Sequence, residues 1–272
     1  MKKHLPNIIL ILIFVTGLSL LLYPSISNYW NSFHQSRAIS EYTGIVSEID
    51  NEEYKKIWHD AEQYNEELAE KENRFFPTKE EDKEYRNLLN IDGNGVMGYL
   101  EIPSINCFLT IYHGTEDSVL QIAIGHIEGS SLPVGGKGTH CVLSGHRGLP
   151  SAKLLSDLDK VTEGEIFTIR TLDETLTYKV DQIRIVEPDE IADLDIEPGK
   201  DYCTLVTCTP YGVNSHRLLV RGHRIENEED DGVRISADAI QIDPVVAAPF
   251  VAAPLLLILI GTMLFGHDRK RK

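Results

Sequence analysis

The chain has 272 residues, enough for one or two domains with a full core, and its 42 Asp and Glu against 26 Lys and Arg give a net charge of −16. Such an acidic balance argues against nucleic acid as a partner and against docking on anionic lipid, and is compatible with a basic protein partner. The 4 cysteines include no C-x-x-C pair, which argues against a zinc framework.

Residues 8–23, "IILILIFVTGLSLLLY", follow Lys2, Lys3 and His4. At 1.5 Å per residue they span roughly 24 Å, short of a full bilayer core. No A-x-A site follows, so an uncleaved anchor is preferred to a cleaved signal peptide. Residues 32–71 are polar with apolar positions at helical spacing, among them Tyr42, Ile45, Val46 and Ile49, then Ile57, Trp58, Ala61, Tyr64 and Leu68. Asp50 with Glu53 reads as a capping box opening the second of two helices. Residues 73–90 read as a charged connector with an aromatic knot at Phe75 and Phe76.

Beyond it come short β-type runs separated by Gly, Pro and Asn, expected at 96–102, 107–112, 139–144, 166–170, 176–184, 202–207 and 217–221. Short helices fit 151–158 and 188–194. So many short strands point to a barrel or sandwich. A second apolar segment, 245–265, spans roughly 31 Å and runs into Arg269, Lys270, Arg271 and Lys272. Basic residues on both outer flanks place the termini in the cytoplasm and everything between them outside. Setting aside those flanks leaves 20 cations and 41 anions, about −21 for residues 24–244.

Two motif matches fail. Asn90-x-Asp92-x-Asn94-Gly95 with Glu101 nearly fits a calcium loop, but "VMGYLEIP" after the glycine is strand-like where an EF-hand needs a helix. "VGGKGTH" at 134–140 lacks the Ser or Thr that follows the lysine of a phosphate loop. No metal and no cofactor is expected. An exported domain permits disulfides. Alternation puts Cys203 and Cys208 on opposite strand faces, leaving Cys107 with Cys141 as the pairing still open, against a reading of Cys107, Cys141 and Cys203 as small buried apolar side chains.

The chemistry gathers around Cys208, brought to the end of a strand by Thr204–Thr207 and followed by the turn "TPYG". Arg217 opens a returning run and is the cation best placed beside it. A guanidinium favours the thiolate and can hold a developing oxyanion. An acid for the leaving amine is also needed. His146, at the exit of "THCVLSG", is the first choice, with His216 and His140 as rivals. His113, His126 and His223 read as structural.

These residues carry a resemblance. "TLVTCTPYGVNSHRLLVRG" resembles the signature of sortases, and "GTHCVLSGHRGLPSAKLLSDLDK" the family's histidine segment. "GHIEGSSLPVGG" and "NIDGNGVMGYLEIP" also match. The T-C-T-P-Y-G form, two membrane segments and a helical extension resemble the class C, pilin-polymerising sortases. The resemblance implies a mainly β fold: an eight-stranded sortase-type barrel with short helices and an N-terminal helical extension, flanked by two transmembrane helices. It implies residues 1–31 as anchor (or signal) and stem, 32–89 as helical extension and lid region, and 90–226 as catalytic barrel. A linker at 227–244, a transmembrane helix at 245–266 and a basic cytoplasmic tail at 267–272 complete the expected layout.

The implied activity is transpeptidation without a cofactor at the outer face of a Gram-positive membrane. Cys208 would open an LPXTG-type sorting signal between Thr and Gly through a thioacyl enzyme, His146 would move the proton, Arg217 would hold substrate or oxyanion, and Thr207 would support. Partners would be pilin subunits or surface proteins bearing the signal, and the acceptor a lysine amine. The alternatives are a sortase that anchors proteins to peptidoglycan, or a non-enzymatic binding module. Class C members carry a lid with an Asp-Pro-aromatic tip. Here "RFFP" has no Asp-Pro, so either Phe75 or Phe76 plugs the site or the lid is altered.

Overall fold

The computed structural model describes residues 5–227, with side chains from Ile9 onward. Two compact units divide the chain, one containing Met1–Ile26 and the other Ser27–Glu228. In the first, apolar side chains such as Leu10, Leu12, Leu20 and Leu21 stand exposed along helix α1 (Leu5–Glu48). That helix carries a window of mean hydropathy 2.3, long and apolar enough to cross a membrane. The expected second membrane helix, the linker before it and the basic tail lie outside the described residues.

Helix α1 runs without a break across the expected boundary at residue 31. Helix α2 (Asn51–Ala69) starts at Asp50, whose carboxylate accepts from the backbone N–H of Glu52 and Glu53. The reciprocal capping box lies elsewhere. Thr78 and Glu81 form it at the start of α3 (Lys79–Tyr85), a helix inside the segment read as a connector. One more short helix, α4, covers Asp117–Leu120.

The strands are β1 (Val96–Ile102), β2 (Cys107–His113), β3 (Ile124–His126), β4 (Thr139–Ser144), β5 (Ile166–Thr171), β6 (Glu174–Val186), β7 (Asp201–Thr209) and β8 (His216–Ile225). They close into an eight-stranded barrel in the order β1-β2-β3-β4-β7-β8-β6-β5. Closure removes the open edges that short strands would otherwise expose. The seven strands read from sequence are all present. Only β3 is new, too short at 3 residues to show any alternation.

Inward positions such as Leu100, Ile111, Leu143, Phe167, Tyr178, Leu205 and Val220 fill the barrel. Helix α2 adds Ala61 and Leu68, both buried. Tyr42 of α1 fastens that helix to the barrel: its hydroxyl donates to the Met97 carbonyl at 2.9 Å and accepts from Leu172 N–H at 2.8 Å. Strands β4 and β7 run parallel from Thr139↔Asp201 to Ser144↔Val206, while β7 and β8 are antiparallel.

Two expectations are corrected. Residues 151–158 form turns rather than a helix, since Leu154 sits at φ 39 in the left-handed region, which no α-helix accommodates. Residues 188–194 hold only a 3-10 turn at Ala192–Leu194. All four cysteines are free thiols, so the Cys107–Cys141 bridge does not form. Cys107, Cys141 and Cys203 are buried, and Cys141 faces Cys203 across β4 and β7.

Candidate active site

Odd-numbered residues of β7, such as Cys203 and Leu205, face the barrel interior, and even-numbered ones face out. Cys208 therefore opens outward at the strand end, half-buried. Its register partner on β8 is Arg217. Directly opposed residues of an antiparallel pair share a face with Cα atoms about 4.5–5.5 Å apart. Arg217 donates to the carbonyls of Asn214 at 3.3 Å and His216 at 3.1 Å. Among the described residues no carboxylate pairs with it, so its charge is left for the thiol and for whatever binds there.

His146 reaches the same strand end from β4. The Gly145 N–H donates to the Val206 carbonyl at 3.0 Å, continuing the parallel ladder past Ser144. Thr207 Oγ1 then donates to the Gly145 carbonyl at 2.8 Å, and Arg147 Nη1 to Thr209 Oγ1 at 3.2 Å. Both contacts join residues 62 apart, the separation of His146 and Cys208 themselves. The pair is thus bracketed before and after by side-chain hydrogen bonds.

Arg147 is buried to all but 8 % of its side chain and pairs with Asp159. It lines a cavity of about 650 Å3 with Thr209 and Tyr211. The turn after it needs glycine: Gly148 sits at φ +79, and a Cβ there would lie 2.9 Å from the Tyr211 ring.

The rival histidines are engaged. His140 is buried, with Nδ1 2.8 Å from the Asp195 carbonyl and Nε2 2.7 Å from Thr204 Oγ1. Burial pushes its pKa down, an effect opposed in part by the Asp195 carbonyl. His216 lies 3.2 Å from Glu187 and on the strand face opposite Arg217. His113, His126 and His223 hold structural contacts, to the Leu88 carbonyl, the Ser131 carbonyl and Asp181. Near Asn90, Gly95 leads into β1, as expected of a turn.

An apolar strip on the outer face leads to Cys208 and Arg217. It consists of Val142, Val186, Leu194, Val206 and Leu219, with Phe75 and Ile127 packed on it. Val206 shares the outer face of β7 with Cys208, and Leu219 shares that of β8 with Arg217. Phe76 is 80 % exposed. Arg74 fastens this segment, donating to the Leu194 carbonyl at 2.9 Å and pairing with Asp195 at 3.2 Å, with its guanidinium 4.5 Å from the Phe75 ring. The backbone of Arg74 and Phe75 crosses so close to Gly129 that a Cβ there would meet the Arg74 carbonyl at 2.3 Å.

Sequence reasoning did not single out Arg147, Arg74 or the Leu194–Asp195 step. For Arg147 a signal existed, since it stands to Thr209 as His146 stands to Cys208. A thiol, a guanidinium with no carboxylate partner among the described residues and an imidazole at converging strand ends can perform nucleophilic acyl transfer with a built-in oxyanion partner and proton carrier.

A sortase domain model matches residues 100–225. The chain is similar to the crystal structure of sortase C1 from Streptococcus agalactiae, with 55 % identity, 71 % of this chain and 100 % of that chain covered, and TM-score 0.68. Sortase C of Streptococcus pneumoniae, whose structure is described as giving insight into catalysis and pilin substrate specificity, is 44 % identical with TM-score 0.63. That match covers 70 % of this chain and 97 % of the other. The sortase A of Bacillus anthracis is 25 % identical over 222 residues, 81 % of this chain and 95 % of that one.

Proposed function

The chain belongs to the sortase family of cysteine transpeptidases, and from that premise we propose that it is a membrane-anchored pilin polymerase acting on an LPXTG-type sorting signal. The Cys208 thiolate attacks the threonine carbonyl carbon, and the resulting oxyanion is held by Arg217. The C–N bond to glycine breaks as His146 gives its proton to the departing amine, leaving a thioester on Cys208. A lysine ε-amine of a second subunit then attacks that thioester and loses a proton to His146. Cys208 leaves as thiolate and an isopeptide bond joins the two chains.

The observation that carries this reading is the convergence of three strand ends: Cys208 paired with Arg217 by register, and His146 brought alongside by the bracketing bonds of Thr207 and Arg147. The apolar strip suits the leucine and proline of the signal. Phe75 rather than Phe76 serves as the plug, because Phe75 occupies that strip while Phe76 points to solvent. Helix α1 supports membrane attachment through its apolar first part. Similarity to a sortase described in terms of pilin specificity favours pilin over peptidoglycan as acceptor.

The test uses the full chain in detergent micelles with a sorting-signal peptide and a signal-bearing pilin subunit. Cleavage that disappears in Cys208→Ala, with detergent-resistant pilin ladders in the parent chain, is the expected result. Cleavage that persists in Cys208→Ala removes the nucleophile. Transfer to wall-precursor amines without ladders redirects the reading to a wall-anchoring sortase.

A further inference from the structure

The loop that carries His146 is fastened at its far side to helix α1. Asn31 Nδ2 donates to the Ser151 carbonyl at 2.8 Å, and Lys153 N–H donates to Asn28 Oδ1 at 2.8 Å. Three residues apart, the two asparagines stand on one helical face and hold the turn 151–153 from both ends. The same face continues through Gln35, which accepts from Thr110 N–H at 2.8 Å and donates to the Ile122 carbonyl, and through Tyr42. The helix is thus anchored on the barrel independently of the loop it holds.

The turn 151–153 connects back to His146 by a short, closed path. Leu149 bridges to Ala152, the Leu155 N–H donates to the His146 carbonyl at 3.3 Å, and Gly148 N–H donates to Ser156 Oγ at 3.0 Å. Ala152, Leu154 and Leu155 are buried in the core cluster. The loop carrying His146 is thus hydrogen-bonded on one side to Thr207 and Thr209 and on the other to the two asparagines.

We propose that Asn28 and Asn31 are positioning residues for His146, so that the stem helix next to the apolar segment sets the geometry of proton transfer. This rests on the proposed role of His146. The two side chains act oppositely: Asn28 must accept and Asn31 must donate. A carboxylate can replace the first and not the second.

The test compares full-length chains in micelles. Asn28→Ala combined with Asn31→Ala should accelerate hydrogen exchange at the Lys153 amide and lower kcat for sorting-signal cleavage about tenfold, with KM and the thermal midpoint little changed. Asn31→Asp should reproduce the loss, while Asn28→Asp should keep both protection and rate. Faster exchange at Lys153 with unchanged kcat would overturn the proposal, as would unchanged exchange in the double variant or equal losses in the two Asp variants. Lys153 exchange reads the clamp without activity, and a parallel Cys208→Ala chain reads the reaction without the clamp. Failure of one is therefore distinguishable from failure of the other.

Discussion

Thr207 Oγ1 donates to the Gly145 carbonyl at 2.8 Å, a fully buried bond one residue before both Cys208 and His146. Its hydroxyl ties the two strands together beside that pair. Thr207→Val keeps the shape and removes the donor, leaving a buried carbonyl short of a partner at a cost of about 1–3 kcal/mol. The expected outcome is a kcat lowered about tenfold, with KM for the peptide nearly unchanged. Thr207→Ser should restore most of the rate; a valine variant as fast as the parent would separate this bond from catalysis.

Cys208 and Arg217 were legible together because a short hairpin fixes its own register, and alternation then assigns the faces. His146 was legible as a residue leaving a strand. What joins His146 to them was not, because β4 and β7 pair in parallel across two intervening strands, and no local pattern reports such a contact. A short helix was expected over 151–158, yet Leu154 and Leu155 are buried there from turns. Arg74 carried no signal, since its partners at Leu194 and Asp195 come from 120 residues away.

Arg217 is the register partner of Cys208 and, among the described residues, has no carboxylate partner, which is the basis of its proposed role as oxyanion holder. Arg217→Ala should lower kcat/KM about 10²–10³-fold, the usual loss for one oxyanion donor. Arg217→Lys keeps the charge but not the planar fork, and should recover only a small part. Steady-state kinetics on the peptide check both. A lysine variant with full activity would assign the role to charge alone.

Phe75 sits on the apolar strip and Phe76 does not. Phe75→Ala should expose the strip and raise the rate at which a thiol reagent modifies Cys208 several-fold, up to about tenfold, given what a partly buried aromatic ring contributes. Arg74→Ala, which removes the contacts to Leu194 and Asp195, should act in the same direction more weakly. Phe76→Ala should leave the rate unchanged. Equal effects at the two phenylalanines would remove Phe75 as the plug.

His140 ties the floor of the strip to the turn that walls it. A carbonyl only accepts, so Nδ1 carries the proton toward Asp195, and Nε2 accepts from the Thr204 hydroxyl. Desolvation holds the ring's pKa below 6.5, Arg221 and Arg74 push the same way, and the Asp195 carbonyl and Glu197 oppose them. His113 is lowered for the same leading reason. A group whose folded pKa is depressed binds protons more readily in the unfolded chain, so its contribution is intact above about pH 6.5 and is lost as pH falls toward the folded value. The half-buried carboxyls of Asp201 and Glu128 are raised instead by desolvation, and their titration favours the folded chain at lower pH. The histidine effect is therefore read by difference. His140→Asn keeps a donor for Asp195 but cannot titrate. Its thermal midpoint should lie below that of the parent at neutral pH and decline less steeply on acidification to about pH 5. Parallel pH profiles for the two chains would show that His140 does not supply the slope.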